Sequence, residues 1–139
     1  MTDFDPSHNR LCVIGESDLF LARLLQRFAE KSGLAILHAR TGDEVLELAQ
    51  REQPALIVLE PQLPGKVRGW EAAQVLRSDP STSGIPLIIC TWLVEADAQA
   101  LVGSIITHLQ KPDLHYEGFL AALDLAGVKR LPDEVDKIV

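Results

Sequence analysis

Cysteine is scarce in this chain of 139 residues: there are two, Cys12 and Cys90. Both sit inside apolar runs and not at the short spacing that metal ligands share. That excludes a disulfide framework and a zinc module, and it points to buried, reduced, structural thiols. Basic residues are also in deficit, 13 Lys and Arg against 20 Asp and Glu, for a formal net charge of -7. With no basic cluster to neutralise a phosphate backbone, nucleic acid is excluded as a direct partner. Long hydrophobic runs are missing too. The longest, IPLIICTWLV at 85–94, falls far short of the roughly 20 residues a membrane span requires, and it contains a proline. The N-terminal MTDFDPSHNR is polar and has no signal-peptide core, so a cytoplasmic chain with no membrane contact is expected. No glycine-rich phosphate loop follows the first apolar run: GESD at 15–18 is too short and too acidic to cradle a nucleotide.

What is present is a balanced globular composition, 47% hydrophobic and 24% charged, enough for the core of one domain. The reading is a flexible N-terminus at 1–9, a domain at 10–127 and a C-terminal tail at 128–139 too short for an output domain. Strand-like runs alternate with helical ones: LCVIG (11–15), AILHA (35–39), ALIVL (55–59), IPLIICTW (85–92) and SIITHL (104–109). Most are nearly continuous in apolar residues, the pattern of strands covered on both faces, so a parallel sheet is expected. Between them Leu21, Leu24, Leu25 and Phe28 share one helical face, as do Tyr116, Phe119, Leu120 and Leu123. Ser17 or Asp18 caps the first helix and Gly33 suits its exit. Thr41-Gly42-Asp43-Glu44 opens the second as a capping box. A third helix runs from about Gly69 to Ser78 ahead of Pro80. The fourth, around Glu95 to Gly103, has ragged apolar spacing. Such alternation implies right-handed crossovers and a doubly wound α/β sheet with helices on both faces. Sites in these sheets lie at the carboxyl ends of the strands.

The polar residues at those ends are Glu16 and Asp18, Glu60, Thr91 and Lys111. Carboxylates, a hydroxyl and an ammonium in one crevice can hold a hard divalent cation and a phosphoryl group. Their order, with VIGESD, TGDEVLEL, ALIVLEPQLPG, WEAAQVLRSDPSTSGIPLIICT and HLQKP around them, resembles the receiver domain of bacterial two-component response regulators over residues 10–126. The resemblance implies a flavodoxin-like, CheY-like fold of five parallel strands in the order 2-1-3-4-5. It further implies transfer of a phosphoryl group from a histidine kinase to an aspartate with magnesium. Lys111 matches the lysine that pairs with the acceptor, Pro112 the proline of a cis Lys-Pro bond, and Thr91 the hydroxyl that contacts the phosphoryl group.

Three places at the site, and one on the output side, depart from the family's pattern. Glu60 stands at the phospho-acceptor position. Gly15 and Glu16 stand where the family has two acids. Trp92 stands beside Thr91 in place of a small residue, and on the output side His108 replaces an aromatic switch residue. An extra methylene displaces an attacking oxygen by roughly 1 Å, whereas in-line transfer tolerates about 0.5 Å. Magnesium is therefore expected to be held only weakly, on Glu16, Glu60 and the carbonyl of Gln62, and phosphotransfer to be lost. A Glu60 to Lys111 ion pair then locks the switch. The expected protein is no enzyme. It is a pseudo-receiver that binds a kinase or effector through its fourth helix, fifth strand and fifth helix, and the resemblance leaves a homodimer open. The alternatives are a conventional magnesium-dependent phospho-acceptor and, from another class, a small flavodoxin-like enzyme or ligand-binding domain.

Overall fold

The computed structural model describes residues 10–103 and 107–130. Five parallel strands, β1 (Leu11–Gly15), β2 (Ala35–Ala39), β3 (Leu56–Leu59), β4 (Leu87–Thr91) and β5 (His108–Gln110), form one sheet in the order β2-β1-β3-β4-β5. The crossovers are α1 (Leu19–Lys31), α2 (Gly42–Glu52), α3 (Gly69–Ser78) and α4 (Glu95–Val102), and α5 (Tyr116–Ala126) closes the domain. This is the expected doubly wound, flavodoxin-like order.

Strand alternation divides the interior in two. Cys12, Ile14, Leu56, Val58, Ile88 and Cys90 face α1 and α5, where Leu25, Ala29, Phe119 and Leu123 complete one apolar cluster. Val13, Ile57, Leu59 and Ile89 face the other way, against Val45 and Ala49 of α2, Ala73 and Leu76 of α3, and Ala98 and Val102 of α4. Both faces of β3 are covered, which is why ALIVL reads as apolar at every position.

The helix ends follow local chemistry. Asp18, not Ser17, caps α1: its Oδ1 accepts from Leu21 N at 3.0 Å. Thr41 Oγ1 accepts from Glu44 N at 3.1 Å, but the Glu44 carboxylate reaches back to Arg40 N, one residue before the cap. Glycine at 33 takes the left-handed exit of α1 at φ 85.

Three strands are shorter than the apolar runs imply, β3 by one residue at its start and β4 and β5 by more. β4 begins at Leu87 because Pro86 has no amide to donate, and it ends at Thr91 because the hydroxyl there captures the amide of Leu93 and turns the chain. β5 starts at His108. Residues 104–106, where the fifth run was expected to begin, lie outside the described residues, as do the N-terminal segment 1–9 and residues 131–139 of the tail. Packing continues to Val128, which is buried, and Arg10 binds the carbonyls of Ser32, Gly33 and Lys129.

Candidate functional site

The parallel register brings four side chains to one crevice. Gly15 of β1 pairs with Leu59 of β3, and the amide of Glu60 bonds the Gly15 carbonyl at 2.9 Å, so Glu16 and Glu60 leave the sheet side by side. Thr91 pairs with Gln110, and Lys111 N bonds the Thr91 carbonyl at 2.8 Å, which sets Thr91 beside Lys111. Gly69, the first residue of α3, lets that helix start hard against the site: a Cβ there would lie 2.1 Å from the Glu60 carbonyl oxygen.

Lys111 Nζ sits between the two glutamates, 2.5 Å from Glu16 Oε1 and 3.0 Å from Glu60 Oε2. The Glu16 contact is ionic and lacks hydrogen-bond geometry, since that oxygen has no hydrogen-bond partner. Every other carboxylate oxygen is engaged. Glu60 Oε1 accepts from the Gln62 amide at 2.7 Å and from the Thr91 hydroxyl at 3.3 Å, and Glu16 Oε2 accepts from Asp18 N at 3.0 Å. Glu16, Glu60, Thr91 and Lys111 are all buried, with Lys111 3% exposed. The crevice is thus a buried Glu-Lys-Glu triad with one formal negative charge in excess.

Burial pulls the Lys111 ammonium down. The close ionic contact with Glu16 and the hydrogen bond and charge of Glu60 more than offset it and hold its pKa above the ordinary 10.5. Beneath the site, burial pushes the Cys90 thiol up to about 12, with Lys111 opposing, and burial also raises Cys12 from its ordinary 9.0. All three groups keep their protonated form longer in the folded chain than in the unfolded one. Their stabilisation is therefore complete below the unfolded values and is lost as pH rises. The urea midpoint should decline from about pH 9, the thiols' unfolded value, and decline further above 10.5, where the unfolded lysine loses its proton. A midpoint that stays flat from pH 8 to 11 would contradict this assignment. At neutral pH both thiols should resist alkylation until denaturant is added.

Of the expected site residues, Glu16, Glu60, Thr91 and Lys111 converge. Gln62 joins them through its amide, as a donor to Glu60. The Lys111-Pro112 bond is cis. Trp92 and His108 do not enter the crevice. Trp92 is an exposed rim residue, and His108 Nε2 lies 3.3 Å from the carbonyl of Leu93. A side chain at Gly15 would point into the core and not into the crevice. Its Cβ direction meets Val45 Cγ2 at 2.8 Å, Leu59 Cδ1 at 3.0 Å and Leu63 Cδ2 at 3.2 Å, on the core side of β1. Asp18 is committed to the α1 cap and cannot supply the missing acid.

As arranged, these residues do not present a strong magnesium site. Both carboxylates are turned onto the Lys111 ammonium, and among the described residues no three His, Cys, Asp or Glu side chains are grouped to hold a metal. Two contributors escaped the sequence reading. His38, beside β1 at the end of β2, places Nε2 2.7 Å from the Glu16 carbonyl, and Gln110 binds the rim opposite. The parallel register would have located His38; nothing in the string marks Gln110.

The model of the response regulator receiver domain matches residues 12–116. Among curated proteins the chain is similar to PilH of Pseudomonas aeruginosa, 32% identical over 59% of this chain and 66% of PilH, just under two thirds. It is also similar to the polar-differentiation response regulator DivK of Brucella ovis, 30% identical over 72% of this chain and 82% of DivK. The bacteriophytochrome response regulator RtBRR superposes with a TM-score of 0.75 at 24% identity, covering 90% of this chain and 82% of that one. The receiver domain of a Pseudomonas aeruginosa PAO1 sensor histidine kinase, solved with magnesium in its active-site cleft, gives 0.72 at 17%, covering 86% and 98%. These two likenesses speak to the fold alone. With the family model spanning most of the domain and DivK aligned over most of its length, the chain belongs to the response regulator receiver domains of two-component signalling.

Proposed function

We propose that this receiver is a pseudo-receiver: its switch is held in one setting without phosphorylation, and it signals by binding a protein partner through α4, β5 and α5. The observation that carries the reading is the position of Lys111 Nζ, in contact with Glu16 and Glu60 at once. The Thr91 hydroxyl is already on Glu60. Every group that would meet an incoming phosphoryl is therefore engaged by a carboxylate of the chain itself. Glu60 carries its charge one methylene further into the crevice than an aspartate would, toward the space an aspartyl phosphate fills. Magnesium, common in this family and present in one structural neighbour, is expected to bind weakly here, because the Lys111 ammonium already engages both carboxylates.

Receiver domains are signalling regulators and not enzymes, which sets aside the flavodoxin-like enzyme. No described helix is long and apolar enough to cross a membrane, in keeping with the cytoplasmic setting proposed here. The test is to incubate the protein with magnesium and a small phosphodonor and read the intact mass. The expected result is an unchanged mass. A stoichiometric phosphoryl adduct would show a working acceptor and overturn the locked state.

A further inference from the structure

Three consecutive carbonyls leave the end of β4: those of Thr91, Trp92 and Leu93. Donors on β5 meet all of them. Gln110 Nε2 lies 2.9 Å from the Trp92 oxygen, 3.3 Å from the Thr91 oxygen and 3.1 Å from the carbonyl of Lys111, while His108 Nε2 lies 3.3 Å from the Leu93 oxygen. Only the amino side of a carboxamide can face three carbonyl oxygens, so the chemistry fixes how Gln110 is turned. The Thr91 oxygen is already served by the Lys111 amide. The two hydrogens of Gln110 are thus free for Trp92 and Lys111, the residues on either side of the crevice rim.

The segment so held carries two exposed apolar residues. Trp92 is 55% exposed and Val94 57%, and neither is covered by the domain's own packing. An exposed indole on an unattached loop would swing away from solvent. Here its backbone is bonded in place by β5 and by Leu93 N to Thr91 Oγ1 at 3.1 Å. We infer that Gln110 is a positioning residue: it fixes the β4 to α4 segment in one setting and so holds Trp92 and Val94 in place at the surface. This rests on the reading of a preset signalling surface and names what presets it.

The experiment uses the whole chain with Trp70→Phe, leaving Trp92 as the only tryptophan, and reads its fluorescence anisotropy and acrylamide quenching. Gln110→Met keeps length without a donor; Gln110→Glu sets a carboxylate against three carbonyls. Both should lower the anisotropy and raise the quenching constant at least twofold, Glu more than Met, with the urea midpoint of the Met variant close to the parent's. Gln110→Lys, which restores a donor, should recover most of the parent's anisotropy. Parent-like anisotropy in both the Met and Glu variants would overturn the assignment, as would a change that only tracks a general loss of folding. No phosphodonor or partner enters the measurement, so its failure is separable from that of the locked-switch reading.

Discussion

Replacing Lys111 with methionine should destabilise the domain by about 3–5 kcal/mol, the range for removing one partner from a buried ion pair. Methionine is nearly isosteric, so the packing around the stem is retained and the loss is electrostatic. What remains is Glu16 facing Glu60 in a site where both are buried, with no cation between them. The backbone amides of Asp18 and Gln62 still donate to the two carboxylates, so part of the solvation is kept. The check is the guanidinium midpoint of Lys111→Met against the parent, then of the triple variant Glu16→Gln, Glu60→Gln, Lys111→Met. The triple variant should recover most of the loss, because a neutral cluster has no unpaired charge to bury. A single-variant loss below about 1 kcal/mol, the level of a surface pair, would mean that water reaches the triad and that the ion pair locks nothing.

The same residues show how far the sequence could be read. Apolar runs located β1, β3 and β4 most directly, because strands covered on both faces leave no ambiguity of face: in β3 both neighbours of each residue are core, whereas β5 overlaps its run only at 108–109. Glu60, Thr91 and Lys111 were legible for a related reason. Glu60 is the first polar residue after such a run, Thr91 the last within one, and Lys111 follows the fifth run by two residues, and a parallel sheet aligns those ends. The direction of the acidic turn was not legible, because a string of letters gives order but not direction. Gly15 continues the alternation of Val13 into the cluster of α2 to α4, so the first side chain free to turn into the crevice is that of Glu16. The period-two rule, applied through position 15, contains that answer. The role of Gln110 has no such signal. It depends on where three backbone carbonyls point after β4 ends, which is set by the Thr91 turn and not by side-chain pattern.

That change of direction yields two opposed outcomes for restoring an acidic pair. Gly15→Asp, alone or with Glu60→Asp, should cost more than about 3 kcal/mol, since it buries an unpaired carboxylate among Val45, Leu59 and Leu63 where even a Cβ is crowded. Ser17, which follows Glu16, is the other neighbouring position at which a second acid can be supplied. Ser17 is exposed, so Ser17→Asp should stay within about 0.5 kcal/mol of the parent. Combined with Glu60→Asp, which withdraws the carboxylate by roughly 1 Å and frees the space it occupied, this variant should gain a phosphoryl adduct from a small donor when magnesium is present. Intact mass and the urea midpoint, read on both pairs, decide between the registers. An adduct on Gly15→Asp with Glu60→Asp and none on Ser17→Asp with Glu60→Asp would place the acid at 15 and require β1 to turn its last residue toward the crevice. The opposite result would show that the carboxylate at 60 and the want of a second acid beside Glu16 account for the parent's inertness, with Thr91 and Lys111 still competent.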